Sequence, residues 1–383
     1  MRPLASLGYR KGLDGLRGVA VLSVMVYHSG VTRGGFLGVD VFFALSGFLI
    51  TSLLLEEHAA TGSVDIRSFY VRRALRLLPA LLVFLVFWSG YLLVNVPPPL
   101  LPLVGCYVLA VLFYVANWAG IHGMLLGIFG QTWSLAIEEQ FYLIWPVVLG
   151  LLVRKVGRPA RIAAILIIAA AASLVWRLYL ALAGASGDRI YFGTDTHADG
   201  LLIGAALAVM LAGGQLGRVR EAGTPVRVMA ALAAIALAGL LVAAPTRGYA
   251  YGVSALAVLA TAGLIFDVMT RGSGIARWLE AGWLAGLGRI SYGLYLWHFA
   301  VFTYFGTLRR PGEAVAPLLL SLIAWGITFA AALLSYFLVE RRFLAWKARL
   351  ARKRPMMPQV GPESGLEPAL AVPAVTILSA PQS

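Results

Sequence analysis

Apolar runs of bilayer-crossing length alternate along the chain with short polar segments. A helical span needs about 20 mostly apolar residues, and eleven segments qualify as candidates: 13–31, 34–55, 77–96, 100–119, 133–153, 160–183, 198–214, 226–244, 249–269, 288–306 and 315–338. Only helices satisfy backbone groups in such a run without neighbouring strands, so the pattern predicts an all-α polytopic membrane bundle. The segment before Leu13 is short and polar and the first run lacks a small-residue cleavage site, so the first helix is expected to be retained.

Composition agrees with the pattern. Of 383 residues, 60% are hydrophobic and 13% charged, with a mean hydropathy of +0.84, far more apolar than a soluble domain. The single cysteine, Cys106, excludes an intrachain disulfide and any cysteine metal cluster.

The net charge of +14 follows the loops. Twenty-four Lys or Arg fall in the N-terminus, 56–76, 154–161, 215–227, 270–289 and 341–354. Five lie in the alternate loops, at Arg33, Arg189, Arg247, Arg309 and Arg310, and Arg17 and Arg177 lie within spans. This is a positive-inside pattern, not a nucleic-acid surface, and it predicts a cell-membrane protein with both termini cytoplasmic. Loops 56–76 and 154–161 both fall on the basic side, so an even number of crossings separates them, yet three candidates lie between. About ten transmembrane helices is the consistent number. One element between Leu77 and Val153 is then not a full crossing; Pro97, Pro98, Pro99 and the glycines of 120–130 break the pattern there. Residues 1–346 read as the membrane domain, and 347–383 as a basic stretch followed by a disordered, proline-rich cytoplasmic tail.

Charged groups inside spans cost several kcal/mol and mark function or a buried partner. Arg17 and His28 are eleven residues apart, which places them on one face of the first helix, about 16 Å apart along its axis. Asp40, entering from the other side, reaches nearly the depth of His28. A carboxylate beside an imidazole would orient it as a general base; a plain helix-to-helix hydrogen bond is the simpler alternative. In "QTWSLAIEEQFYLIWP", Glu138 and Glu139 precede an apolar run; one reads as a helix-start charge, and adjacent carboxylates leave at most one to enter the bundle. Arg72, Arg73 and Arg76 approach a span, with Arg73 and Arg76 neighbours on one surface that suits phosphate groups, although snorkelling arginines serve topology equally well. "TDTHADGLLIG" alternates Asp195, His197 and Asp199, but Thr196 and Asp199 have capping-box spacing, so no metal is assigned. His298 falls near mid-membrane, open to a central cavity or to a tyrosine such as Tyr292 or Tyr295.

Taken in order, Arg17 with His28, "GVDVFFALSGFLI", "FYVRRALRLLP", "WSLAIEEQFYLIWP", "TDTHADGLLIG" and "ISYGLYLWH" resemble acyltransferase family 3, from about Leu13 to Phe343. The resemblance implies a membrane O-acyltransferase, moving an acyl group, often acetyl, from cytoplasmic acyl-CoA to a hydroxyl of a sugar or glycoside, such as an envelope glycan or a macrolide. It implies acyl-CoA as co-substrate with no bound cofactor. Arg17 and His28 match the family's Arg/Lys and His pair, Arg73 and Arg76 its Arg-x-x-Arg motif, and Asp40 and Glu138 its acidic positions. His197 stands where arginine is expected, and Arg342 where proline commonly follows a Glu-Arg pair. The extra esterase-like domain of larger relatives is not expected.

These assignments make His28, with Asp40 or Glu138, the catalytic group, and Arg17, Arg72, Arg73 and Arg76 the acyl-CoA site. Asp195, His197, Tyr295 and His298 are candidates for the acceptor or cavity. The expected partners are acyl-CoA, a sugar or glycoside acceptor and the lipid bilayer, with no nucleic acid. The rival is a proton-coupled transporter with a relay through His28, Asp40 and His298.

Overall fold

The computed structural model describes residues 8–124, 127–217, 223–270, 273–309, 313, 316–343 and 346. The tail from 347 onward, expected to be disordered, lies outside these. Among the described residues the regular structure is helical throughout. Its order is α1 (Lys11–His28), α2 (Gly38–Thr61), α3 (Ile66–Asn95), α4 (Leu101–Leu112), α5 (Ala116–Ile121), α6 (Thr132–Lys155), α7 (Pro159–Leu182), α8 (Gly187–Phe192), α9 (Thr194–Ala212), α10 (Thr224–Ala243), α11 (Val253–Thr270), α12 (Gly274–Leu279), α13 (Gly282–Arg289), α14 (Ser291–Tyr304) and α15 (Leu318–Leu334), which continues as a π-helical turn to Glu340.

Among the described residues eight helices are long and apolar enough to cross a membrane: α2, α3, α6, α7, α9, α10, α11 and α15. Two more fill the bundle. α1 has 18 residues but carries Lys11, Asp14 and Arg17, and α14 has 14 residues, with α13 leading into it. The bundle is all-α, as the periodicity predicts.

The fourth candidate, 100–119, is not one continuous helix. α4 has 12 residues, about 18 Å of helix, well short of a bilayer core of about 30 Å. It stops where Tyr114 takes a left-handed φ of 54°, and the short α5 starts afresh at Ala116. Setting this element aside leaves ten of the eleven candidates, the even number that the loop charges imply, eight of which meet the length and apolarity of a span among the described residues.

Local chemistry sets the helix ends. Asp65 caps α3 by accepting from the Ser68 N–H at 2.9 Å, and Pro159 starts α7 where no intrahelical donor is lost. α2 ends on Gly62, with a φ of 74°. Close crossings use glycine: a Cβ at Gly47 would strike the Leu201 carbonyl, and one at Gly204 the Ala44 carbonyl, so α2 and α9 meet backbone to backbone. Around this seam Met25, Phe43, Leu294 and Phe302 are fully buried, and they close the core between α1, α2 and α14.

Candidate active site

Three arginines converge at the end of the bundle where α1 and α3 begin. Arg17, Arg73 and Arg76 line one cavity of about 70 Å³ with Ser46, Glu138, Glu139 and Tyr142. Arg73 is held rigidly: its Nε donates to both carboxylate oxygens of Glu139 at 2.9 Å, its Nη2 to Oε1 at 2.5 Å, and its guanidinium lies 3.2 Å from the centre of the Tyr142 ring. Glu138 accepts from Ser46 Oγ at 2.7 Å. Arg17 donates from Nε to Ser291 Oγ at 3.3 Å and lies 5.9 Å from the Phe42 ring centre. Arg76 is exposed to the cavity and makes no hydrogen bond or ion pair among the described residues. Two cations without a carboxylate partner therefore face the space beside one fixed pair. That arrangement attracts a multiply charged anion.

A second cavity of about 40 Å³ adjoins the first, and Arg17, Leu135, Glu138 and Tyr292 line both. It runs inward past Ser134 and Ser291 to Phe42 and Tyr295, whose rings meet edge to face at 6.1 Å. The Tyr295 and Ser134 hydroxyls are 2.6 Å apart. Behind Tyr295 lies His298, with ring centres 5.5 Å apart, and His298 Nε2 is 3.0 Å from His28 Nδ1. The backbone around His28 is pinned as well: its carbonyl accepts from the Arg309 N–H at 2.8 Å, and the next residue, Ser29, accepts from Trp325 Nε1 at 3.0 Å. The arginine cluster and the imidazole pair thus sit toward opposite ends of α1, and the second cavity ends at Tyr295, in front of His298.

A family model described as an acyltransferase domain matches residues 10–340. The chain belongs to acyltransferase family 3. The "Putative peptidoglycan O-acetyltransferase YrhL" of Bacillus subtilis is 35% identical over 355 residues, covering 87% of this chain and 54% of that protein. The "Peptidoglycan O-acetyltransferase OatA" of Listeria monocytogenes is 42% identical over 210 residues, covering 52% of this chain and 34% of its own length. The chain spans about half the length of the first of these relatives. No solved structure matches it.

Within this acyltransferase-family bundle several residues sit differently from expectation. His28 pairs with His298 and makes no hydrogen bond with Asp40 among the described residues. Asp40 is buried in the first turn of α2, within electrostatic reach of Asp199 and Arg177. Equal depth did not bring it to His28, because depth along two helices says nothing about which way each face turns. Glu138 and Glu139 are not helix-start charges: α6 begins at Thr132, and both carboxylates line the arginine cavity. The 100° between them is absorbed because Arg73 reaches sideways from α3. Arg72 points elsewhere, to Glu57 at 2.8 Å, so it leaves the cluster.

The capping box at Thr196 and Asp199 is also absent. α9 starts two residues earlier, Thr196 Oγ1 donates back to the Gly193 carbonyl, and Asp199 accepts from Arg177 Nη2 at 2.9 Å. Arg177 is fully buried and also donates to the Thr196 carbonyl and the Tyr249 hydroxyl. His197 is buried in a ring of aromatics and stacks on Tyr249 at 4.9 Å, and Asp195 is held by Arg189 and Trp176. Neither joins the passage. Among the described residues no group of three or more His, Cys, Asp or Glu is placed to hold a metal. Glu139, Tyr142, Ser291 and Ser134 are the site residues that sequence reasoning missed. Glu139 was visible as a charge in an apolar run; the others carry no signal of their own.

Proposed function

We propose that the chain is a membrane O-acyltransferase that moves an acyl group, acetyl in the first instance, from acyl-CoA to a hydroxyl of a cell-envelope glycan. The observation that carries this reading is the pair of adjoining cavities lined by Arg17, Arg73 and Arg76, which run inward to Tyr295, the residue that packs against His298, the partner of half-buried His28. CoA phosphates fit Arg17 and Arg76, with Arg73 as the fixed wall, and the thioester arm points along α1 toward His28. The names of the relatives favour a glycan over a macrolide acceptor. The positive-inside pattern of the loops supports an arginine end, and so a donor, on the cytoplasmic side.

At the imidazole, His28 Nε2 takes the proton of the acceptor hydroxyl as its oxygen attacks the thioester carbonyl. The tetrahedral intermediate then expels the CoA thiolate, which recovers the proton from the imidazolium, leaving an ester and free CoA thiol. Cavities of about 70 and 40 Å³ hold a few waters rather than CoA, so the passage widens when donor enters.

The test uses full-length protein in lipid nanodiscs with acetyl-CoA and a glycan fragment. Ester and free CoA thiol should form together with wild type and not with His28→Ala. A protein that moves solute but makes no ester is a transporter, and equal ester formation by His28→Ala removes His28 as the base. A gain of about 42 Da on the protein that is trapped at neutral pH, is discharged by hydroxylamine or acid, and is absent in His28→Ala would replace direct transfer by an acyl-histidine step.

A further inference from the structure

His298 is fully buried, and its two ring nitrogens have different partners. Nδ1 faces two backbone carbonyls, Tyr295 at 2.8 Å and Leu294 at 3.2 Å. Carbonyls only accept, so Nδ1 carries the proton. In the neutral ring Nε2 is then a lone-pair acceptor, and the group facing it at 3.0 Å is His28 Nδ1. That contact is a hydrogen bond only if His28 Nδ1 carries its own proton. The chain of carbonyl, His298 and His28 therefore leaves the lone pair of His28 on Nε2.

We propose that His298 is a positioning residue that fixes His28 in its Nδ1–H tautomer and orients Nε2 as the proton acceptor. His298 does here what a carboxylate does for the histidine of a hydrolase triad, by a neutral acceptor instead of a charge. A neutral acceptor suits a fully buried position, where an unpaired carboxylate would be costly to desolvate. When Nε2 gains the acceptor's proton, the positive charge on His28 is shared through Nδ1–H with the His298 ring, whose own N–H is anchored on carbonyl oxygens. Among the described residues the other titratable side chains whose rings pack against the pair are Tyr27 and Tyr295, and the Tyr295 hydroxyl is engaged with Ser134. Arg309 gives only its backbone N–H to His28 and turns its guanidinium to the Gly306 and Leu308 carbonyls. The ring of Phe299, 5.2 Å from that of His28, closes another side and offers no competing acceptor.

This inference rests on the acyl-transfer reading for its kinetic test and not for its spectroscopic one. In the full chain labelled with 15N-histidine, the His28 signals, identified by their loss in His28→Ala, should report a protonated Nδ1 and an unprotonated Nε2 in neutral imidazole. The reverse assignment overturns the proposal whether or not the protein turns over. In the transfer assay, His298→Gln, whose Oε1 can stand near the place of Nε2 and accept the same proton, should keep kcat within roughly tenfold of wild type. His298→Phe, which fills the volume without an acceptor, should lose up to about 10⁴-fold in kcat with the KM for acyl-CoA unchanged, the scale of a wrong-tautomer defect. Wild-type kcat in His298→Phe, or equal losses in the Gln and Phe variants, would refute the assignment. Absence of ester with wild type, or full activity of His28→Ala, sinks the acyl-transfer reading instead and leaves the tautomer measurement standing.

Discussion

Arg73 and Arg76 are one helical turn apart, and removing each should have opposite signatures. Arg76 is exposed to the cavity with no ion-pair partner, so Arg76→Ala removes a ligand contact without orphaning a carboxylate. A charge-assisted hydrogen bond to a phosphate contributes about 1.5–3 kcal/mol, which corresponds to a rise of roughly 10- to 100-fold in the KM for acyl-CoA at little cost in stability. Arg73→Ala instead strands Glu139. The pair's side chains are only 13% and 16% exposed, and breaking such a buried pair costs about 3–5 kcal/mol. Its thermal midpoint should therefore fall clearly. Arg73→Ala combined with Glu139→Ala should recover part of that fall, because the stranded charge is gone, while donor binding stays weak. Initial rates against acyl-CoA concentration and thermal unfolding in matched detergent measure both. An unchanged KM in Arg76→Ala would refute the phosphate assignment, and an unchanged midpoint in Arg73→Ala would refute the role given to Glu139.

Other consequences follow from the same geometry. Asp199→Ala leaves the fully buried Arg177 without its carboxylate and should cost about 3–5 kcal/mol, read as a lowered unfolding midpoint; an unshifted midpoint would mean that the pair is not formed. CoA at 100 times its Kd should raise the stability of wild type by about 2.7 kcal/mol, and much less in Arg17→Ala combined with Arg76→Ala. Equal protection of both proteins would move the donor site elsewhere. In a Cys106→Ser background, cysteines placed at Thr61 and Arg247, both exposed, should be labelled by an impermeant maleimide from opposite sides of the membrane, Arg247 from outside intact cells. Labelling of the Thr61 position from outside would invert the topology.

How far the sequence reached depended on whether a feature is local to one helix. The all-α membrane bundle was legible because spans are read from runs of residues, and the loop arginines added the parity that made one element between 77 and 153 surplus without saying which. The Arg17 and His28 alignment was legible for the same reason: one helix, one period. Pairing across helices was not. His28 was assigned Asp40 on depth, yet the helix that presents a partner is α14, 270 positions away in sequence. Rotation of a helix about its own axis is set by packing, such as the glycine seam of α1 against α13, where a Cβ at Gly288 would strike the Asp14 carbonyl. No single-helix pattern reports that.

The distribution of partners explains why so charged a bundle can still present a specific site. Arg72, Arg73, Arg177 and Arg189 each meet a carboxylate, from Glu57, Glu139, Asp199 and Asp195 respectively. Each pair ties two segments and removes a cation from competition for ligand. Two arginines remain outside this scheme in the cavity, Arg17 and Arg76, and they lie on the two helices, α1 and α3, that flank its mouth. A bundle that needed positive charge only for insertion would gain nothing by lining a cavity with unpaired guanidinium groups, since each carries a desolvation cost that a snorkelling position avoids. The cost becomes intelligible when an anion completes the set: on the proposed acyl-CoA reading, Arg17 and Arg76 would gain a partner as the donor binds and return to the uncompensated state as CoA leaves.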